Sequence, residues 1–261
     1  MAILGIILLI IGAVLFFVQR NQKQKVFSIK SARPVKTTEL TETASAVADE
    51  IGGGSWRDYI KLWGEVQADA PLTSDLKQQP CVHYVSKVTR EYEETVTERN
   101  SEGELERKQK RASEVISNNR QSIPFRLKDD AGTIEVNPDG ADIETIQVLN
   151  EFRQEQPTAG QISFGPVKFN VGRGAGKTLG YRYTESLLPL GRNVLVVGAA
   201  SDLTGQVIVE KPPKGDKKYV ISFQNEEALA AAVSRNAQIS FFSMVGCFAV
   251  GAILLVVGLL S

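Results

Sequence analysis

The chain has 261 residues, with 30 Lys and Arg balancing 30 Asp and Glu, so its formal charge is zero. Its two cysteines and one histidine are too few for a closed zinc site of Cys and His, which takes four ligands. Only Cys81 lies outside the apolar ends, which leaves no intradomain disulfide to form. The near-neutral mean hydropathy conceals a segregated pattern, with the apolar residues concentrated at the two termini.

Every residue from Ala2 to Val18 is apolar or Gly, and from Ile239 to Leu260 only Ser240 and Ser243 are polar. As helices these segments reach roughly 25 and 33 Å, against a hydrocarbon core of about 30 Å. A cleaved signal peptide needs a basic n-region and a small-residue cleavage site, and the first segment has neither. It ends Phe16-Phe17-Val18-Gln19-Arg20, an aromatic edge followed by a basic flank, which is the pattern of a retained anchor. The second is too long and too free of charge for a soluble core helix. Arg20, Lys23, Lys25, Lys30 and Arg33 follow the first span and Arg235 precedes the second, with no basic side chain at either terminus. The positive-inside rule then predicts a cytoplasmic central domain, with a periplasmic or intermembrane placement as the alternative.

After the first span (residues 2–18) comes a basic linker and short helix (residues 19–54). The helix is predicted over Thr38 to Ile51, where Glu39, Glu42 and an Ala-rich run favour helix and Gly52-Gly53-Gly54 stops it. From residue 55 to 225 the period changes to two. Strands are predicted at Tyr59 to Val66 and from Cys81 onward, where Val82, Tyr84, Val88, Tyr92 and Val96 share a face. Ser86, Arg90 and Glu94 interrupt that face, so the distal half is expected to leave the core as a solvated ribbon. It turns at Asn100-Ser101-Glu102-Gly103 and returns through the charged run Glu104 to Arg111. Such a hairpin reads either as a partner-binding arm or as a solvated edge with cross-strand charge pairs.

Pro124 to Lys128 and Thr133 to Val136 form a predicted hairpin around Asp129-Asp130-Ala131-Gly132. Further strands are expected at Gln161 to Phe169, Gly180 to Thr184, Val194 to Gly198, Gln206 to Val209 and Tyr219 to Phe223. A connecting helix (226–238) leads into the second span (239–260). The fold class is therefore membrane-anchored and mainly β (α+β): a small barrel- or sandwich-like domain with short helices between two transmembrane helices.

Four motifs suggest chemistry. Gly172-Arg173-Gly174-Ala175-Gly176-Lys177-Thr178 resembles a phosphate-binding P-loop, but Val171 stands where the first Gly belongs, and a strand follows where a helix should begin. Cys81 and His83 share one face of a strand, as a nucleophile and its base would, yet that face is read as opposite the apolar set and no third residue orients the His. Asp129, Asp130 and Asp139 lack the spacing of a twelve-residue calcium loop and read as turn formers. Gly5 and Gly12, and Gly251 and Gly258, are each seven apart, giving each span a small-residue stripe suited to close packing as a hairpin.

Several separated blocks resemble the GIDE/MULAN family, whose domain is also called BAM, for beside a membrane. They are Leu62-Trp63-Gly64-Glu65-Val66, then Ala70 to Ser74, Pro80-Cys81-Val82, Ile123-Pro124-Phe125 through Asp129, Gly132 to Val136 and Pro138 to Ala141. Tyr183-Thr184-Glu185 through Gly191, Val194 to Gly198 and Pro212-Pro213 complete the set. The positions that carry it best are Trp63, Gly64, Cys81, Pro124, Phe125, Gly132, Gly140, Glu185 and Gly198. The resemblance implies a membrane E3 ubiquitin ligase with this domain between two spans and a RING finger after the second. A RING takes eight Cys/His ligands for two zinc ions, and this sequence holds three such residues in all. The expectation is a RING-less, bacterial and cyanobacterial-like member, to which ligase chemistry does not carry over.

The functional expectation is a membrane-tethered sensing or partner-binding protein without catalysis of its own. Its alternatives are a component of a ubiquitin-ligase-like or other enzyme system and a structural membrane-organising protein. No cofactor, no metal and no catalytic residue is expected. The expected partners are the lipid bilayer and a protein or small ligand, with self-association possible and no nucleic acid.

Overall fold

A computed structural model of the chain describes residues 2–260 except 55, 100–102, 159, 173, 175, 204, 214 and 216. In chain order the elements are α1 (Ala2–Ser31), β1 (Arg33–Pro34), α2 (Thr37–Ile51), β2 (Arg57–Gln67), β3 (Leu72–Thr73), β4 (Pro80–Arg99), β5 (Leu105–Ser122), β6 (Phe125–Lys128) and β7 (Thr133–Val136). They continue with β8 (Asp142–Ile143), β9 (Ile146–Arg153), β10 (Gln161–Phe164), β11 (Val167–Asn170), β12 (Lys177–Pro189), β13 (Asn193–Ser201), β14 (Ile208–Glu210), β15 (Val220–Ser222) and α3 (Glu226–Leu260). The protein is mainly β between two terminal apolar helices, each long and apolar enough to cross a membrane. Two compact units make it up, one of residues 1–66, 126–143 and 192–261, the other of residues 67–125 and 144–191.

In the first unit α1 continues past Val18 to Ser31, so the basic segment after the apolar run is itself helical. No Gly or Pro occurs between Gly12 and Pro34, and Pro34 makes continuation impossible. The apolar parts of α1 and α3 pack antiparallel. A Cβ built on Gly5 would stand 2.8 Å from both the Gly251 carbonyl oxygen and the Leu255 nitrogen, and one on Gly12 would stand 3.1 Å from the Phe248 ring. This is the backbone approach that small residues permit between membrane helices. The polar ends of the same helices lie on the sheet, where Ile29, Ala32, Leu229, Ala230 and Val233 close a core with Tyr59, Leu195, Val197 and Val220. Lys61 is buried there, with its Nζ 3.4 Å from the Ile29 carbonyl and ion-paired to Glu226.

The strands β2, β6, β7, β14 and β13 pair in succession, and β13 pairs back to β2, closing a five-stranded ring with β15 and β8 continuing from β13. Residues 194–201 of β13 are all buried, consistent with a near-continuous apolar run covered on both faces. At Gly64 a Cβ would come 2.5 Å from the Lys128 carbonyl oxygen, so β2 crosses the end of β6 only because this residue has no side chain. Helix α2 begins one residue earlier than expected and ends at Gly52, whose φ of 86° favours glycine.

In the second unit β9, β12 and β4 run side by side, and β3 and β5 share the far edge of β4. The expected single strand from Gln161 to Phe169 is instead a hairpin of β10 and β11, because Gly165 adopts a φ of 56° and turns the chain. Strand β12 is longer than Gly180 to Thr184 at both ends, and β9 had no distinct signal in its mixed sequence. The distal halves of β4 and β5 do form a solvated ribbon. The turn positions 100–102 lie outside the described residues, as do 173 and 175 of the Gly-rich run; β12 begins directly after that run, at Lys177.

Candidate functional site

The most concentrated polar arrangement lies in the second unit, where the turn Ser74 to Gln79 is fastened onto the sheet by two carboxylates. Glu185, on β12, is fully buried. It accepts hydrogen bonds from the Leu76 N–H at 2.7 Å, the Lys77 N–H at 2.9 Å and the Ser74 hydroxyl at 2.9 Å. Asp75 projects from the turn and accepts from the Tyr84 hydroxyl at 2.9 Å, the Ser86 hydroxyl at 2.7 Å and the Asn119 amide at 2.7 Å. Six donors meet four carboxylate oxygens, and the three on Glu185 are what make its complete burial tolerable; Asp75 is half-buried.

Cys81 and His83 flank this cluster on β4. Both are buried, at 0 and 4% exposure, which corrects the expectation that their face points away from the core. Near its start β4 is covered on both faces, and Cys81 packs with Tyr84 and Leu187. Burial, and then the negative charge of Glu185, pushes the Cys81 thiol up to about 11. Burial, and then the positive charge of Arg120, pushes His83 down to about 4. A third residue does meet the imidazole, since the Ser122 hydroxyl lies 2.7 Å from Nδ1. At neutral pH both Cys81 and His83 are thus uncharged, the opposite of the thiolate–imidazolium poise of a cysteine nucleophile.

Ser86 and Arg90 are likewise buried, not interruptions exposed to solvent. The Arg90 guanidinium donates to Thr178 at 2.8 Å, to Glu114 at 2.9 Å and to the Gly176 carbonyl at 3.3 Å. Beyond it the ribbon emerges. Leu105 and Val115 are 70 and 53% exposed, and β5 has no strand on its outer edge among the described residues. A bulge between Val88 and Thr89 shifts the register there, and Ile116 packs on the core while Val115 stays out. Glu93 faces Arg111 and Glu94 faces Lys110, with Arg111 Nε 3.3 Å from Glu93.

The other sequence positions have structural roles. In the first unit Asp129 accepts from the Thr37 N–H and hydroxyl at 2.8 and 2.7 Å and from the N–H groups of Ala131 and Gly132, both at 2.8 Å. Burial opposes its ionisation, but these bonds outweigh it and hold the carboxyl below the usual range. Asp130 pairs with Lys36 at 2.7 Å. Gly132 leaves room for Thr37, whose Oγ1 would stand 3.0 Å from a Cβ; Gly140 has a φ of 77°; and a Cβ on Gly198 would meet the Tyr219 ring at 2.8 Å. Trp63 is 42% exposed. In the second unit, Phe125 is buried and Pro124 exposed. These positions are divided between the two units. Asp75, Asn119 and Ser122 escaped sequence reading because nothing distinguishes them from ordinary turn and strand residues.

A family model described as "GIDE: E3 Ubiquitin ligase" matches residues 93–258. The chain belongs to the GIDE family. The match takes in β5, most of the β-rich region and α3, including Pro124, Phe125, Gly132, Gly140, Glu185 and Gly198; Trp63, Gly64 and Cys81 precede it. No curated protein and no solved structure matches the chain.

Proposed function

We propose that this GIDE-family protein is a membrane-tethered partner-binding module that acts by holding a second protein at the bilayer. The observation that carries the reading is the β4–β5 ribbon. The polar groups near its base are neutral or hydrogen-bonded, while the ribbon presents an 18-residue strand that has no strand paired to its outer edge among the described residues and leaves Leu105 and Val115 exposed. An open strand edge is a template for strand addition, and the charged side chains along the ribbon, Lys108 paired with Glu106 and Arg111 with Glu93, protect it from indiscriminate pairing. The terminal apolar helices support tethering, which raises effective concentration toward other membrane-bound proteins. The basic residues beside the apolar segments of both helices support a cytoplasmic orientation of the β-rich region.

The family's description favours a second reading, in which the module serves a ubiquitin-ligase-like system. Photo-crosslinking from Leu105 and Val115 in native membranes tests the first proposal. A single protein captured from both positions, and not from the exposed Leu203, supports it. No adduct at either ribbon position, or the same capture from Leu203, refutes it. A RING protein among the adducts would favour the second reading.

A further inference from the structure

A cleft of about 720 Å³ opens between α1 and α3 where their apolar segments end. Gln19, Lys23, Phe27 and Lys30 line it from α1, and Phe241 and Phe242 from α3. The antiparallel register sets Gly12 against Phe248; carried one heptad along each helix, it brings Gln19 opposite Phe241. The cleft therefore straddles the polarity boundary, with Phe241 and Phe242 on the apolar side and Lys23, Phe27 and Lys30 on the other. Lys25, on the same helix, is taken by Asp142 at 2.6 Å, whereas Lys23 and Lys30 form no ion pair among the described residues.

Gln19 supplies an independent observation. It is only 6% exposed, it lines the cleft, and its side chain makes no hydrogen bond among the described residues. No fully buried side-chain nitrogen or oxygen lacks a partner among the described residues, so the Gln19 amide keeps some accessible surface beside the cleft that the residue lines. A primary amide held at the edge of the hydrocarbon wants a polar ligand atom there.

We infer that this cleft binds one anionic glycerophospholipid, with its phosphate against Lys23, an ester or glycerol oxygen against the Gln19 amide, and its acyl chains along Phe241 and Phe242. Lys30 adds positive potential over the headgroup. Charge complementarity selects the occupant: two unpaired ammonium groups suit an anionic headgroup, and the aromatic floor suits chains that a water-soluble phosphate lacks. The inference requires α1 and α3 to lie in a bilayer; it does not require the ribbon to bind a protein.

The test uses the full chain in detergent micelles, titrated with dioleoyl phosphatidylglycerol or dioleoyl phosphatidylcholine and read by native mass spectrometry. One phosphatidylglycerol per chain is expected at about tenfold lower lipid than phosphatidylcholine, and the doubly substituted K23Q/K30Q protein should lose that preference. Arg235→Gln, an exposed basic residue beside the same boundary but outside the cleft lining, should retain it. Equal retention of the two lipids, survival of the preference in K23Q/K30Q, or equal loss in R235Q would overturn the site. Displacement by free glycerol 3-phosphate would show a soluble-phosphate site and overturn the lipid assignment. Extraction of the protein from native membranes by alkaline carbonate would instead show that the helices are not embedded, a failure separate from that of the ribbon proposal.

Discussion

Glu185 and Leu76 are 109 positions apart in sequence, yet the buried carboxylate of one lies 2.7 Å from the backbone N–H of the other. Replacing Glu185 with Leu leaves that N–H, the Lys77 N–H and the Ser74 hydroxyl without their acceptor. The expected cost is about 3 kcal/mol, since each stranded buried donor carries its own desolvation penalty. Ser74→Ala removes one of these donors and the acceptor of the part-buried Gln79 N–H, 3.1 Å from the Ser74 hydroxyl, and should cost about 1–2 kcal/mol. Thermal unfolding of the detergent-solubilised variants measures both, and equal losses would deny Glu185 its organising role.

His83 gives the stability a pH dependence with a definite sign. Its folded pKa is lowered from 6.5 to about 4, so between these values the unfolded chain binds more protons than the folded one. The neutral imidazole's contribution is complete above about pH 6.5 and is lost as pH falls toward 4, by about 3 kcal/mol in total. His83→Gln should flatten the melting temperature between pH 6.5 and 4.5. An unchanged slope in that variant would place the pH dependence elsewhere.

Cys81 should resist alkylation in the folded protein. Its thiol is wholly buried and raised to about 11, so at pH 8 little thiolate forms and none is accessible. Iodoacetamide is expected to label Cys81 only after denaturation, as read by peptide mass spectrometry, and Cys81→Ser should leave partner capture intact. Rapid labelling of the native chain would contradict this placement.

What the sequence revealed and concealed divides along physical lines. The apolar ends, α2 with its glycine stop, and the even-numbered face of β4 each follow from local periodicity, which a single segment carries by itself. The environment of Arg90 does not: read alone it is a charge interrupting an apolar face, and only Thr178, Glu114 and the Gly176 carbonyl, distant in sequence, make its burial tolerable. Cys81 and His83 show the same limit. Alternation set them on the face opposite the apolar set because it assumes one covered face, whereas β4 near its start is covered on both. Strand β9 is legible only beside β12, against which it registers from Ile146 to Arg153.

Gly64 tests a close approach between strands. A methyl group there would fall 2.5 Å from the Lys128 carbonyl oxygen, a backbone atom with little freedom to retreat. Gly64→Ala should destabilise the chain by about 1–3 kcal/mol through overpacking. Gly53→Ala, where the added carbon would stand 3.9 Å from the Ala48 side chain, should be nearly neutral. Melting temperatures of the two variants decide the matter, and similar values would show that β2 and β6 can separate without cost.

The pairing of α1 with α3 is open to direct covalent proof. A Cβ on Gly251 would lie 3.2 Å from the Leu8 Cβ, close to the separation of about 3.8 Å found across disulfides. In a Cys247→Ser background, L8C/G251C should therefore oxidise to an intramolecular disulfide, seen as a faster-migrating monomer without reductant. Moving one cysteine to Val14, which is 58% exposed on α1, should abolish the bond because that position faces away from α3. Intermolecular dimers from L8C/G251C, in place of the internal link, would mean that the helices pair between chains and that the antiparallel hairpin is not the unit in the membrane.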